Sequence, residues 1–225
     1  MLSIDASPVP SLKQFVYDKL RNSIISGELT PGAKLIEQDI SNDLNISRAP
    51  VREALNMLER DGLATIVPRH GAVVSSLSMD DIRDIWEMRE LLEPLAAIQA
   101  VSNIPGKDID YVERLILEVL EDPTDSTKYM ESDLALHDML YTYANNSYLR
   151  TELHTLKIHS SCARWSKDLK QRVNHDVPKT VIDISNEHMG IIKALRSRNP
   201  EQVEESVRQH IKNGSIRMLK DGEIV

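Results

Sequence analysis

The chain has 225 residues, of which 41% are hydrophobic, and it carries a formal net charge of −8 at pH 7. This length suits two modest domains. A single cysteine, Cys162, excludes a framework of intramolecular disulfides, and no apolar run is long enough to span a membrane. The N-terminus lacks the charged-then-apolar pattern of a secretion signal. We therefore expect a soluble cytoplasmic protein.

The negative charge is unevenly distributed along the chain. Residues 1–76 contain eight Lys and Arg against nine Asp and Glu, whereas residues 77–225 contain 19 against 26. The acidic excess therefore lies in the second part. Because the first part is not a general basic patch, any affinity for nucleic acid there must come from a few well-placed cations.

Two helical patterns open the first part. Apolar residues recur at helical spacing from Lys13 to Ile25, and the pattern ends at Gly27, before a turn at Thr30-Pro31-Gly32. A short helix is predicted over Glu37–Leu44. The apolar members of the first helix are Phe15, Val16, Leu20, Ile24 and Ile25.

A third helix is predicted to begin beside Ser47. Ser47 can cap this helix, and Pro50 lies in the first turn, where its missing N–H costs nothing. Arg48 and Arg52 are four residues apart and share one side of the first turns, which suits the major groove of DNA. The alternative is an ordinary surface helix with solvated arginines. The predicted buried face consists of Val51, Leu55 and Leu58.

A β-hairpin is predicted directly after this helix. Gly62 is expected to end the helix, and the runs Leu63–Val67 and Ala72–Ser75 are rich in strand-forming residues. Pro68–Gly71 forms the tip between them. Three helices followed by a basic-tipped hairpin predict a winged helix-turn-helix domain over residues 1–76.

These motifs resemble the GntR family of bacterial transcription regulators. The matching segments are Leu29–Leu35, Ser47–Leu55, Asp61–Leu63 and Arg69–Gly71, and their order, spacing and residue types agree across the first third of the chain. The family often has a further arginine in the short helix before the recognition helix. This chain has Gln38 in that region, so one contact to the DNA backbone would be weaker or differently made.

The resemblance implies roles for five residues of this domain. In the recognition helix, Arg48 and Arg52 would contact bases or adjacent phosphates, and Ser47 would contact a phosphate. From the wing, His70 together with Gly71 would reach the minor groove. The implied partner is double-stranded operator DNA.

From Ser78 onward the sequence predicts an all-helical bundle over residues 77–225. Pro94 is expected to kink or split the first of its helices. The overall fold class is therefore mainly α, an N-terminal winged helix-turn-helix followed by an all-α bundle. The six predicted helices are Met79–Val101, Asp108–Leu120, Lys128–Ala144, Tyr148–Lys170, Val181–Ser197 and Pro200–Leu219.

Four residues of this bundle suggest a metal site. Asp133 and His137 are four residues apart and project from one helix face, while His188 and His210 lie on the last two helices beside apolar residues. One carboxylate and three imidazoles suit Zn²⁺, Ni²⁺, Mn²⁺ or Fe²⁺. The alternative is a set of unrelated core histidines, since an Asp-x-x-x-His spacing is common by chance.

The helices that carry these residues resemble the FCD effector domain of the FadR subfamily. The matching segments are Ser132–His137, Asn186–His188 and Arg208–His210. Many members bind a divalent metal through one Asp and three His, so the resemblance implies a site at the four residues just named. Six helices rather than seven point to the shorter, VanR-like form of this domain.

Two arginines of the bundle are candidates for binding an effector. Arg89 and Arg164 each have the charge to clamp the carboxylate of a small organic acid beside the metal. For Arg89, the alternative is an ordinary salt bridge with Glu93, one helical turn away.

The function predicted from these features is that of a ligand-responsive transcription regulator and not an enzyme. A homodimer would bind a palindromic operator, usually as a repressor, and a small organic acid would complete the metal coordination. The alternatives are a metal-dependent hydrolase or oxygenase, and a DNA-binding protein with a purely structural metal. Against an enzyme, no evident general base lies beside the ligands, because Glu187 would point to a different side of its helix from His188.

Overall fold

The computed structural model describes residues 11–68, 70–163 and 177–220. The chain divides into two compact units, Met1–Ser78 with Ser161–Lys170 and Met79–Ser160 with Gln171–Val225. Among the residues described, no helix is both long and apolar enough to cross a membrane.

The first unit has three helices and a small antiparallel sheet in its described part. The elements are α1 (Leu12–Ile25), β1 (Lys34–Leu35), α2 (Glu37–Asp43), α3 (Arg48–Arg60), β2 (Ala64–Val67) and β3 (Gly71–Val74). The strand order is β1-β3-β2, with Leu35 opposite Ala72 and Thr65 opposite Val73. The two predicted hairpin strands are confirmed. The strand β1 was not expected, because a run of two residues is too short to show the alternation of a strand.

The core of this unit lies between α1, α3 and the sheet. Burying one large aliphatic side chain in this core contributes about 1.5–3 kcal/mol to the stability of the folded state. Phe15, one of the apolar members of the predicted helix, does not belong to the core, because its side chain is 51% exposed. The buried face of α1 is centred on Val16, and Phe15 lies about 100° around the helix from it. The main core residues are Val16, Leu20, Ile24, Val51, Leu55, Leu58, Ala72 and Val74.

The two ends of α3 are formed differently. At its C-terminus, Gly62 has a φ of 71°, and the N–H groups of Leu63 and Gly62 donate to the carbonyls of Leu58 and Glu59. This is the Schellman pattern that a terminal glycine predicts. At its N-terminus, Ser47 occupies the N-cap position, but its hydroxyl makes no capping hydrogen bond. The predicted side-chain cap is therefore absent.

The described part of the second unit is entirely helical, as predicted. The helices are α4 (Met79–Ala100), α5 (Gly106–Glu121), α6 (Ser126–Thr142), α7 (Ser147–Ala163), α8 (Val177–Ser197) and α9 (Pro200–Lys220). The helix α4 packs on α6 and α9, α5 packs on α6 and α8, and α8 packs on α9, which brings α6, α8 and α9 around one core. Residues 164–170, predicted to continue the fourth helix, lie outside the described residues, so the six-helix form stays a prediction.

The proline in α4 does not divide it into two helices. Pro94 lies inside a single helix of 22 residues and is buried. Because Pro94 has no N–H, the carbonyl of Glu90 loses its intrahelical donor. The guanidinium of Arg208 on α9 donates to this carbonyl at 3.5 Å, so a neighbouring helix partly replaces the lost hydrogen bond.

The apolar residues of α4 are not all in the core. Met88, Leu91 and Leu95 are 44%, 60% and 43% exposed. They recur at spacings of three and four residues and therefore share one face. The buried face is built instead around Ile82, Ile85 and the alanines near the end of the helix.

Candidate functional site

The structure brings Asp133, His137, His188 and His210 together inside the second unit. The Oδ1 atom of Asp133 lies 3.9 Å from Nε2 of His137 and 3.9 Å from Nε2 of His188. Each of the three imidazoles offers a ring nitrogen, and these nitrogens all lie within 4.8 Å of one another. All four residues are buried. Three separate helices, α6, α8 and α9, contribute to this cluster.

Carboxylates outside the cluster hold two of the imidazoles. Nδ1 of His137 lies 2.8 Å from Oε2 of Glu93, and Nδ1 of His210 lies 2.9 Å from Oε2 of Glu187. A neutral imidazole bonded in this way carries its proton on Nδ1 and keeps the lone pair of Nε2 free. This carboxylate–histidine arrangement is the usual support for a metal-binding imidazole.

Glu93 is itself held by Arg89. The two residues form a buried ion pair one helical turn apart on α4, and the Arg89 guanidinium lies 4.4 Å from the centre of the Trp86 ring. Burial alone raises the pKa of Glu93, but Arg89 and His137 outweigh it, so this pKa lies well below its usual range. Arg89 therefore makes the salt bridge that the sequence offered as the alternative to effector binding.

Glu187 plays the equivalent part on the other side of the cluster. Asn213 donates to its Oε1 at 2.8 Å, and Arg217 donates to both oxygens at 2.8 and 2.9 Å. Burial raises the pKa of Glu187, but the hydrogen bonds from Arg217 and His210 outweigh it and hold the pKa at about 2. Glu187, which the sequence did not place in the site, joins it through His210 on the next helix.

The unsatisfied atom of the cluster is Nε2 of His188. It is buried and has no hydrogen-bond partner among the described residues, an arrangement that is costly unless something else fills the role of a partner. Burial and the neighbouring His210 push the pKa of His188 well below its usual value, so its imidazole is neutral. Three imidazoles and one carboxylate form a donor set that fits a divalent transition metal.

A buried lysine near the cluster was missed by the sequence analysis. Lys157 on α7 donates from Nζ to the carbonyl of Leu134 at 2.7 Å and to Oδ1 of Asp138 at 3.1 Å. Burial lowers its pKa. Because a lysine on a helix is normally exposed, no feature of the sequence indicated that Lys157 is buried. Arg164, the second predicted effector residue, lies outside the described residues.

In the first unit, the predicted DNA-contacting residues of α3 are exposed. Ser47, Arg48 and Arg52 all lie at the start of this helix, and the Arg52 side chain is 62% exposed. Arg52 donates from Nε and Nη2 to the two carboxylate oxygens of Glu37 on α2, at 2.9 and 2.8 Å. Glu37 was not singled out from the sequence, since fifteen residues separate it from Arg52.

The wing contains the other predicted DNA-contacting residues. His70 is exposed, and its Nδ1 lies 2.9 Å from the carbonyl oxygen of Pro68. Gly71 has a φ of 88°, and a Cβ atom at this position would overlap the carbonyl oxygen of Leu35 on β1. The fold itself therefore requires glycine here. Arg69 lies outside the described residues.

Gln38 makes a hydrogen bond within its own helix, α2. Its Nε2 donates to the side-chain oxygen of Asn42 at 2.7 Å, one helical turn further along. Both partners are uncharged. This part of α2 therefore carries two uncharged amide side chains in the region where the GntR family often has an arginine.

Known proteins share this fold and are similar to this chain in sequence over most of its length. Escherichia coli McbR/YncC superposes with a TM-score of 0.82 at 19% identity, over 96% of this chain and 100% of that one, which shows the common fold. An uncharacterized HTH-type transcriptional regulator of Bacillus subtilis (strain 168), YdhC, is 25% identical over 90% of this chain and 88% of its own length. The HTH-type transcriptional repressor RspR of Escherichia coli (strain K12) is 26% identical over 95% of this chain and 92% of its own length.

Two family models match the two parts of the chain. The model for bacterial regulatory proteins of the gntR family matches residues 12–74, which contain the three helices and the hairpin of the first unit. The FCD domain model matches residues 84–213, more than half of the chain, including the Asp and the three His of the buried cluster. The chain therefore belongs to the gntR family of bacterial transcription regulators, in the FadR-like group that carries an FCD domain.

Proposed function

We propose that this regulator binds operator DNA through α3 and the wing and senses a small organic acid at a divalent metal held in its helical domain. The observation that carries the proposal is the buried cluster of Asp133, His137, His188 and His210, with Nε2 of His188 lacking a partner among the described residues. A core built only for stability would satisfy that nitrogen or replace it with an apolar group.

The metal would be held by these four residues. Asp133 supplies the one negative charge among the ligands, and Glu93 and Glu187 keep His137 and His210 in the tautomer that leaves Nε2 free. When bound, a divalent ion supplies a Lewis-acidic centre that attracts an anionic ligand. With Asp133 as the single anionic ligand, the centre keeps an excess of one positive charge.

The charge of the centre favours a carboxylate as the effector. A buried positive centre attracts a small anion more strongly than an exposed one does, because the surrounding dielectric constant is low. Arg89 is neutralised by Glu93, so its role is to hold that carboxylate, and a direct clamp on the acid would require Arg89 to change partners. The predicted clamp at Arg164 stays a prediction.

We further propose a homodimer that acts as a repressor on a palindromic site. Support for the dimer comes from Met88, Leu91 and Leu95, which form an exposed apolar stripe on α4. Two-fold symmetry of the protein would match two-fold symmetry of the operator. Support for repression comes from RspR, a relative that is named a repressor.

The DNA-binding part of the proposal is tested by selection from a library of random-sequence duplexes. The full chain should enrich a palindromic sequence, and Arg52→Ala and Arg48→Ala should each weaken binding to it at least tenfold at fixed salt concentration. The matched control is Arg83→Ala, which removes an exposed arginine paired with Asp80 at the start of α4. Selection of no sequence, or equal binding by all three variants, would overturn the assignment of α3.

A further inference from the structure

The contact between Arg52 and Glu37 joins the predicted recognition helix to the helix before it. Arg52 Nε donates to one carboxylate oxygen of Glu37 and Nη2 donates to the other. The two hydrogen bonds run in parallel, which is the bidentate geometry that fixes both the position and the plane of a guanidinium. The hydrogen bonds lower the pKa of Glu37, so its carboxylate is ionised at neutral pH.

This contact uses only one edge of the guanidinium. Arginine has five N–H donors, one on Nε and two on each Nη atom. Glu37 takes the Nε edge, while no described residue accepts a hydrogen bond from Nη1 of Arg52. The end of the guanidinium formed by Nη1 and Nη2 therefore keeps two parallel donors, and the side chain that carries them is 62% exposed.

Two parallel N–H donors on one guanidinium match the O6 and N7 acceptors of guanine in the major groove. An arginine that is free to rotate can also satisfy itself on phosphates, which carry no sequence information. A carboxylate that fixes the guanidinium favours the base contact. It also disfavours a phosphate contact at the same place, because it is negatively charged.

We infer that Glu37 is a specificity-determining residue that positions Arg52 to read guanine. The inference rests on the proposed DNA-binding role of α3 and adds to it a named base and a positioning partner. Glu37 itself need not touch DNA. The negative charge of Glu37 near the phosphates weakens binding to any DNA. Its hold on Arg52 raises the ratio of specific to non-specific affinity.

The test compares the full chain with its Glu37→Gln variant in selection from random duplexes, followed by fluorescence anisotropy. Each protein is titrated with the duplex selected by the unmodified chain and with a scrambled duplex, at two salt concentrations. We expect Glu37→Gln to lower the ratio of the two affinities at least fivefold and to reduce guanine enrichment at one position of each half-site. Binding to the scrambled duplex should stay equal or become tighter.

Two further variants separate positioning from charge. Glu53→Gln is the matched control. Glu53 follows Arg52 on α3 and pairs with Lys13 at 3.1 Å, so this substitution removes the same charge but leaves the contact between Arg52 and Glu37 in place. It should keep the guanine preference. Arg52→Lys should lose that preference although Glu37 is intact, since an ammonium cannot make the bidentate contact.

The outcomes distinguish this inference from the function on which it rests. If the unmodified chain selects no sequence, the DNA-reading role of α3 fails and the role of Glu37 fails with it. If the chain selects a sequence and Glu37→Gln keeps the same guanine enrichment and the same affinity ratio, the role of Glu37 alone is overturned. Circular dichroism and a thermal midpoint check that each variant is folded. Should Glu37→Gln not fold, unchanged guanine enrichment by Arg52→Lys overturns the inference.

Discussion

Glu187 on α8 accepts a hydrogen bond from Nδ1 of His210 on α9, at 2.9 Å. The same carboxylate accepts hydrogen bonds from Asn213 and Arg217, so it is fixed from three sides. Glu93 does the same for His137 from α4, where Arg89 fixes it. Each of these two imidazoles is therefore oriented by a carboxylate that an arginine holds in place.

Glu187→Gln should weaken metal binding by about 10–100-fold, the range typical of lost outer-shell carboxylates. The amide keeps the size of the side chain but no longer supplies the charge that favours a basic imidazole. Competition titration of Zn²⁺ against a chromophoric chelator measures the affinity. The control is Glu204→Gln, which removes a carboxylate paired with Arg208 on the same helix as His210. Equal affinities of the two variants would contradict the role given to Glu187.

The metal-free protein should lose stability as the pH falls below about 6.5. Burial holds the pKa of His188 far below 6.5, and that of His210 is also lowered by burial, whereas the unfolded chain titrates near 6.5. Below that pH the unfolded chain binds protons that the folded chain does not, so the free energy of unfolding falls by about 1.4 kcal/mol per pH unit for each proton. Above pH 7.5 these two residues cause no slope.

This pH dependence is measured by denaturant unfolding in the presence of a chelator at several pH values. Between pH 6.5 and 5, His188→Gln should remove the contribution of one proton from the slope of the free energy of unfolding against pH. His154→Gln is the control, because His154 is exposed outside the cluster. A slope that His188→Gln leaves unchanged would show that His188 is not the group held neutral.

Gly71→Ala should destabilise the first unit more than Gly32→Ala does. Both glycines have positive φ values, 88° and 84°, so both substitutions carry the backbone strain of about 1–3 kcal/mol. Only at Gly71 would the new Cβ also overlap the carbonyl of Leu35, since the space around Gly32 is open. Thermal unfolding of the two variants measures the difference. Equal losses would mean that the wing does not approach β1 as described.

If the chain forms the proposed dimer, Leu91→Asp should convert it to a monomer. Leu91 is 60% exposed at the centre of the stripe formed with Met88 and Leu95, and a buried, unpaired carboxylate at a dimer interface is strongly unfavourable. Light scattering after size-exclusion chromatography measures the mass. Leu117→Asp is the control, because Leu117 is 47% exposed and belongs to α5 instead of α4. A monomeric unmodified chain, or a dimeric Leu91→Asp variant, would rule out this stripe as the interface.

The sequence predicted the helices because helical periodicity depends on local spacing, whereas the complete set of four clustered residues was implied by the family resemblance. Asp133 and His137 share a face through their four-residue separation, and the glycine that ends α3 has a strong positional preference. The motifs also carried a family resemblance that the family models confirm.

What the sequence did not predict depends on contacts between helices. Helical periodicity predicted Glu187 on a different side of its helix from His188, and only the packing of α8 on α9 shows that it bonds to His210. Glu37 lies beside Arg52 because the turn between α2 and α3 brings the two helices together. The apolar residues of α4 follow a helical pattern on two faces, and the pattern alone does not say that Leu91 lies on the uncovered one.

The central claim is that the metal centre controls the affinity for DNA, and it is tested most directly by measuring that affinity while the centre is filled. Fluorescence anisotropy gives the Kd of the full chain for its selected duplex without metal, with Zn²⁺, and with Zn²⁺ plus each member of a panel of small organic acids. We predict that at least one acid changes the Kd of the zinc-loaded chain fivefold or more, within the usual range of allosteric coupling, and leaves His188→Ala unaffected. A Kd that stays constant across the panel, or that changes equally in His188→Ala, would contradict the account.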